Sequence, residues 1–323
     1  MIKRRLFTLT ILLLVMIPGM IAQETDYGPG YQTIMMTNPS YTGSEGDGIL
    51  RLSYLNYYPG MNFNLNSFFV SYDSYFPVLH GGAGFYISND YMGGIVNDLR
   101  GGFAYSYHLQ AGKNIYINAG LGASFFYRGF NTSGVILPDQ IDPLQGAILP
   151  SAETLESRGH TAFDAGAGFL LIAGRYTAGL SVGHLTEPDL SGYGSSVEKM
   201  QRKITLCLEG TFFNESRMKI ALRPMIYSMI QGNYFQAGSG AAFETSFFSV
   251  SSMLLINSSK DIDLQTGISF NKGPFIAFYK YCFNLVSGNS LLPASLFQHA
   301  GVALSLNYVD KRKTIKTINF PEL

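Results

Sequence analysis

Tryptophan is absent from this 323-residue chain, and cysteine occurs only twice. Two cysteines, Cys207 and Cys282, make neither a disulfide scaffold nor a metal motif. They read as small strand residues, with one disulfide open to them in an oxidising compartment. Charge is scarce as well: 14% of residues are Asp, Glu, Lys or Arg, and the formal net charge is zero, whereas a typical soluble domain has about 25% charged residues. A neutral chain offers no electrostatic footprint for nucleic acid, and no nucleic-acid partner is expected. Beyond the first 22 residues there is no apolar run long enough to cross a bilayer as a helix, which takes roughly 20 residues. Low charge without helical spans leaves the closed barrel, the other architecture that satisfies every backbone hydrogen bond in lipid. A secreted soluble β-sandwich is the competing reading.

What is present begins with Met1-Ile2-Lys3-Arg4-Arg5, positive charge ahead of the apolar run Leu6 to Ile17, followed by Pro18-Gly19-Met20-Ile21-Ala22. Charge, length and flank together predict an export signal over 1–22, cut after Ala22. Gln23 stands where a lipid-anchored protein would carry cysteine.

Strand periodicity is clearest at 115–128. Ile115, Ile117, Ala119, Leu121, Ala123, Phe125 and Tyr127 fall on one face, and Asn118, Gly120, Gly122, Ser124 and Arg128 on the other. A helix would repeat near 3.6 and a buried soluble strand would be apolar on both faces, so lipid outside and a polar or tightly packed lumen inside fit best. The rule places strands near 49–58, 63–74, 82–88, 101–109, 114–128, 161–173, 175–183, 203–213, 218–230, 233–244, 246–257, 261–271, 274–285 and 298–308. The fold expected is all-β, a transmembrane antiparallel up-and-down barrel of about 14 strands in the lipid bilayer of the outer membrane.

Connection lengths test that count, since such barrels keep periplasmic turns short and let extracellular loops grow. The long connections expected, 89–100, 129–160, 184–202 and 286–297, are all odd-numbered, which puts both termini in the periplasm. The chain divides into the signal 1–22, a turn-rich segment 23–48 that is periplasmic or folds back as a plug, the barrel 49–308 and a basic tail 309–323. Tyr54, Tyr57, Tyr58, Tyr72, Tyr75, Phe76, Tyr279 and Tyr281 gather near strand ends, where interfacial girdles form.

Few residues suggest chemistry. Ser106 and His108 share an inward strand face, but neither an orienting carboxylate nor an oxyanion site accompanies them. Asn89, Asp90, Asp98, His160 and His184 fall in or beside the expected extracellular loops without protease spacing. His80, His108, His160, His184 and His299 have no i, i+2 or i, i+4 pairing for a metal. No catalytic, cofactor or metal residue is therefore assigned, and the chain is not expected to be an enzyme. Arg128, Asp164, Glu209, Arg223, Asp263 and Lys280 are expected to face inward as bracing charges, with Glu209 and Arg223 paired across a 214–217 turn. The Gly, Ala and Ser inner faces predict a narrow or plugged interior.

Particular strings then matter more than periodicity. Gln32-Thr33-Ile34-Met35-Met36-Thr37-Asn38-Pro39-Ser40-Tyr41-Thr42-Gly43 resembles the N-terminal region of the PorP/SprF family of the type IX secretion system. Further strings agree in order: Leu55-Asn56-Tyr57-Tyr58-Pro59-Gly60, Ser71-Tyr72-Asp73, Gly81-Gly82-Ala83-Gly84-Phe85, Tyr105-Ser106-Tyr107-His108-Leu109, Phe163-Asp164-Ala165-Gly166-Ala167-Gly168, and Tyr176 to Pro188. Tyr58 stands where the family commonly has Trp, and Ser40 and Thr42 where it has alanines. The resemblance implies a non-enzymatic outer-membrane component in Bacteroidota. Such a component helps secrete or retain a surface protein, with an adhesin-type C-terminal domain as cargo and periplasmic secretion or peptidoglycan-binding components as partners. Connections 129–160 and 184–202 are then the candidate cargo face. The alternative function is a passive outer-membrane channel for a hydrophobic or small solute.

Overall fold

The computed structural model describes residues 33–46, 48–61, 65–131, 136, 140–142, 146–147, 159–190, 199–213, 220–288 and 294–306. The expected signal 1–22, residues 23–32 and the tail 309–323 lie outside these residues. A single helical turn, α1 (Ile34–Thr37), and a 3-10 turn at Pro39–Tyr41 precede the barrel strands. Those strands are β1 (Ile49–Tyr57), β2 (Leu65–Phe76), β3 (Gly81–Met92), β4 (Val96–Gly112), β5 (Ile115–Phe130), β6 (Gly159–Ala173) and β7 (Tyr176–Gly183). They continue as β8 (Lys203–Gly210), β9 (Ala221–Gln231), β10 (Tyr234–Glu244), β11 (Phe248–Asn257), β12 (Ile262–Lys272), β13 (Phe275–Val286) and β14 (Ser295–Ser305). Each pairs antiparallel with its sequence neighbours, and β1 meets β14 in register from Ile49 opposite Ser305 to Tyr57 opposite Phe297. That seam closes the sheet and leaves no edge strand to template aggregation.

The alternation read from the sequence is the alternation of the walls. Along β5, Ile117, Leu121 and Phe125 are exposed, while Asn118, Gly120 and Phe126 between them are buried. Phe103, Leu121, Phe163 and Phe169 stand fully outward, whereas Arg51, Lys280, His299, Gln265 and Asn118 are among the most buried side chains. This inverts the soluble arrangement, as it must when lipid is the outer solvent.

Two expected connections differ. Residues 89–100 form no long loop: β3 continues to Met92, β4 begins at Val96, and Gly93 and Gly94 turn the chain with φ of 62° and 80°. The polarity of Asp90 and Arg100 reads as loop, but both are buried on the inner wall. Conversely, the expected 214–217 turn is wider, because β8 stops at Gly210 and β9 begins at Ala221. The longest connections, 131–158 and 184–202, still share one end of the barrel, together with 58–64 and 287–294. Of the expected girdle, Tyr54, Tyr279 and Phe76 face outward. Tyr75 instead turns inward, 5.4 Å from the His108 ring.

Candidate functional site: a segment seated in the lumen

The lumen is occupied by the chain's own residues 33–46. Asn38 caps the turn at Pro39–Tyr41, its Oδ1 accepting from the Ser40 amide at 3.0 Å and the Ser40 hydroxyl at 2.6 Å. Pro39 follows at the first position, where its fixed φ suits the turn and its missing N–H is not needed. So locked, the segment aims backbone carbonyls at the wall. Ser181 Oγ donates to Thr37 O at 2.8 Å, and Ser106 Oγ to Ser40 O at 2.9 Å. His108 Nε2 lies 3.2 Å from Thr42 O, and because a carbonyl only accepts, the ring is the Nε2–H tautomer there.

Glycines make the seat. A Cβ on Gly120 would lie 2.3 Å from the Ser40 amide nitrogen, one on Gly82 2.0 Å from Thr42 O, and one on Gly168 2.0 Å from Asn38 Oδ1. The inner wall of β3 and β5 is therefore shaped to the segment's backbone, and that of β6 to the Asn38 side chain, closer than a Cβ would allow.

A charged latch holds the segment near the start of β1. Arg51, 2% exposed, bonds both Asp73 on β2 and Glu45 of the segment, the latter at 2.5 Å. Asp73 also accepts from the Gly43 amide at 2.7 Å. On the far wall Tyr41 donates to Glu209 at 3.1 Å. Burial, with the Glu209 charge adding to it, pushes the Tyr41 phenol well above its ordinary range, so it remains a donor. Apolar groups complete the filling: Ile34 and Tyr41 join Met225, Tyr227, Met229, Met253 and Leu255 from β9 and β11.

Above the segment a cavity of about 60 Å³ lies between Met36, Arg100, Asp164, His184 and Lys203. That volume admits a few waters, since one needs roughly 10–15 Å³. The Arg100 guanidinium sits 4.0 Å over the Phe126 ring. His184 Nδ1 donates to Asp164 at 2.8 Å, and Thr186 Oγ1 to the same carboxylate at 3.0 Å. Burial lowers the His184 imidazole below its ordinary value. Leu190 and Met200 of the 184–202 connection then close on Phe126.

The expected chemical candidates fall into structural contacts. Ser106 and His108 are engaged by the segment's carbonyls. Asp98 is bound to Arg128 by two 2.8 Å contacts, and Asp90 is buried on β3. His299 packs edge-on against Phe278, with ring centroids 5.1 Å apart. Among the described residues no three His, Cys, Asp or Glu side chains converge. Cys207 and Cys282 are free and buried on β8 and β13. The expected Glu209–Arg223 pairing is diagonal and not direct: the register sets Glu209 opposite Met225, two residues from Arg223, whose charge still acts on it, and Arg223 lies 2.8 Å from Glu244 on β10. Arg51, Asp73 and Arg100 were missed. Their signal was parity, because Arg51 alternates in step with Ser53 and Leu55, and Arg100 with Gly102, Ala104 and Ser106.

The family model described as type IX secretion system membrane protein PorP/SprF matches residues 21–293. Among solved structures, the deltaS2 mutant of the TodX monoaromatic hydrocarbon channel is 12% identical, covering 86% of this chain and 94% of its own, with a TM-score of 0.51. The Pseudomonas putida toluene transporter TodX covers 88% and 95% at 12% identity and a TM-score of 0.48. A KdgM porin covers 80% and 99% at 7% identity and 0.38. The first of these likenesses shows the outer-membrane barrel fold and nothing about cargo. No curated protein sequence matches.

Proposed function

Since this chain belongs to the PorP/SprF family, and is a type IX secretion component of the outer membrane, we propose that it is a docking barrel that holds a particular secreted surface protein. The observation that carries this reading is the filled lumen. A segment locked by its own capping turn, seated on glycines and latched by Arg51 occupies lumen space that a solute path would need. The work of such a barrel then falls to its rims. The end bearing connections 131–158 and 184–202 is the extracellular, cargo-binding face, its cargo an adhesin-type C-terminal domain. Both termini are periplasmic, where secretion or peptidoglycan-binding components meet the chain, and the barrel is not an enzyme.

The test is purification from native membranes, paired with planar-bilayer recording. A surface protein's C-terminal domain that co-purifies, and is lost when 184–202 is replaced by a short Gly-Ser turn, is the expected result. Steady single-channel conductance of the unmodified chain, with no co-purifying surface protein, would replace the docking role with the alternative, a passive channel for a hydrophobic or small solute.

A further inference from the structure

The two rims differ in a way that neither the lumen nor the family accounts for. At the end with the long connections, the tight turns carry Gly93, Gly94, Gly232, Asn233 and Lys260, together with Ile95, 44% exposed. At the opposite end, three of the turns present bare apolar tips: Val78 is 89% exposed, Phe213 72% and Phe247 75%. Around this rim the order is Val78, Lys113, Arg175, Phe213, Phe247 and then Lys272 at the end of β12, and the three cations are all exposed. The carboxylate bordering these turns among the described residues, Glu244 at the end of β10, is held by Arg223 at 2.8 Å. Apolar tips sharing a rim with exposed cations are the composition of a surface that meets the boundary between lipid headgroups and acyl chains.

The turns also lean the right way. The hydroxyl of Tyr105, a residue of the outer wall, donates to Leu79 O at 2.7 Å, which draws the 77–80 turn against that wall. Phe212 packs edge-on against outward-facing Tyr176 at 6.1 Å, with the Arg175 guanidinium 5.7 Å from its ring centre. Phe213 is held at a φ of 63°. That backbone is uncommon for a bulky residue and keeps the ring away from the lumen's apolar core. The 77–80 and 211–213 turns thus continue the lipid-facing belt past the last strand residue.

We propose that this rim is a lipid-binding collar: Val78, Phe213 and Phe247 insert into the interfacial layer while Lys113, Arg175 and Lys272 hold anionic lipid phosphates. The collar covers the short-turn rim with lipid. A protein partner at that end must then reach the chain through its terminal segments and not through the turns.

A chain without tryptophan permits a direct test. V78W, F213W and F247W are made singly in the full chain, refolded into phosphatidylethanolamine–phosphatidylglycerol vesicles and checked for the folded, heat-modifiable form. L121W on the mid-barrel outer face and N233W on the opposite rim are the references. Collar reporters should lose emission roughly twofold to lipids brominated high on the acyl chain and resist acrylamide. L121W should respond most to deep bromines, and N233W to acrylamide. Brominated phosphatidylglycerol should displace phosphatidylethanolamine at F247W by roughly fivefold per nearby cation. In the combined K113Q, R175Q, K272Q chain that preference should vanish. Collar reporters that behave like N233W, that resist acrylamide and bromolipid alike, or that show no phosphatidylglycerol preference would overturn the proposal.

Discussion

Placing one methyl group on Gly120 should unseat the lumen segment without harming the barrel. A Cβ there would sit 2.3 Å from the Ser40 amide nitrogen and 2.4 Å from the Pro39 carbonyl carbon, atoms of a backbone fixed by its capping turn. On Gly122, two residues along the same inner face, the added Cβ would meet Pro39 Cβ at 3.7 Å, an ordinary contact. Neither glycine occupies the left-handed region, so alanine imposes no backbone strain and the difference is steric. Overpacking of this kind costs about 1–3 kcal/mol. If the strain is relieved by the segment leaving its seat, the exposed population rises by roughly 5–150-fold. Thr42, 1% exposed, is the reporter position, and Cys207 and Cys282 are replaced by alanine throughout, because they pack in the clusters that the segment's Ile34, Tyr41 and Met36 cover. Maleimide labelling of T42C should accelerate by that factor in G120A and hardly at all in G122A, with both chains remaining folded by heat-modifiable migration. Equal labelling in G120A and the parent, or equal acceleration in G122A, would refute the account of the glycine seat.

Replacing Arg51 by Met leaves Asp73 and Glu45 facing one another without their shared cation. Removing one member of such a buried set costs about 3–5 kcal/mol, read as a lowered urea midpoint, and an unchanged midpoint would show that Arg51 is no latch. For the inner-wall charges, a double-mutant cycle on Arg223 and Glu244 should return a coupling of about 0.5–3 kcal/mol. The same cycle on Arg223 and Glu209 should give a smaller value, and the reverse order would restore the pairing expected from sequence alone. On the outer wall, L121R should be penalised by about 2–4 kcal/mol at the bilayer midplane, and L109R near the rim by about 0–1 kcal/mol. Equal yields of the two in vesicle refolding would contradict the outward placement of Leu121.

How much was legible in the sequence follows from what each feature depends on. The period-2 pattern at 115–128 fixed which side chains face lipid, because a strand's alternation is local and the outer solvent rewards only one phase of it. All fourteen strands and their closure follow from the same local rule, since a membrane barrel can leave neither edge open. The lengths of β3 and β4 were not legible. Asp90 and Arg100 look like loop residues until the polar lumen they face exists.

For residues 33–46 the sequence left two readings open, a periplasmic segment or a plug, and the contacts of the seat lay beyond reach. Asn38-Pro39-Ser40 announces a turn by its own chemistry, but that its carbonyls meet Ser106, His108 and Ser181 depends on residues 66 to 144 positions away. The pairing of Arg223 with Glu244 and not Glu209 turned on a register of two residues between β8 and β9, which no single strand encodes. Local polarity therefore determined the barrel and its outer face, because lipid acts on each residue separately. What fills the barrel was decided by tertiary structure alone, because a lumen contact needs two walls and a segment brought together from distant parts of the chain.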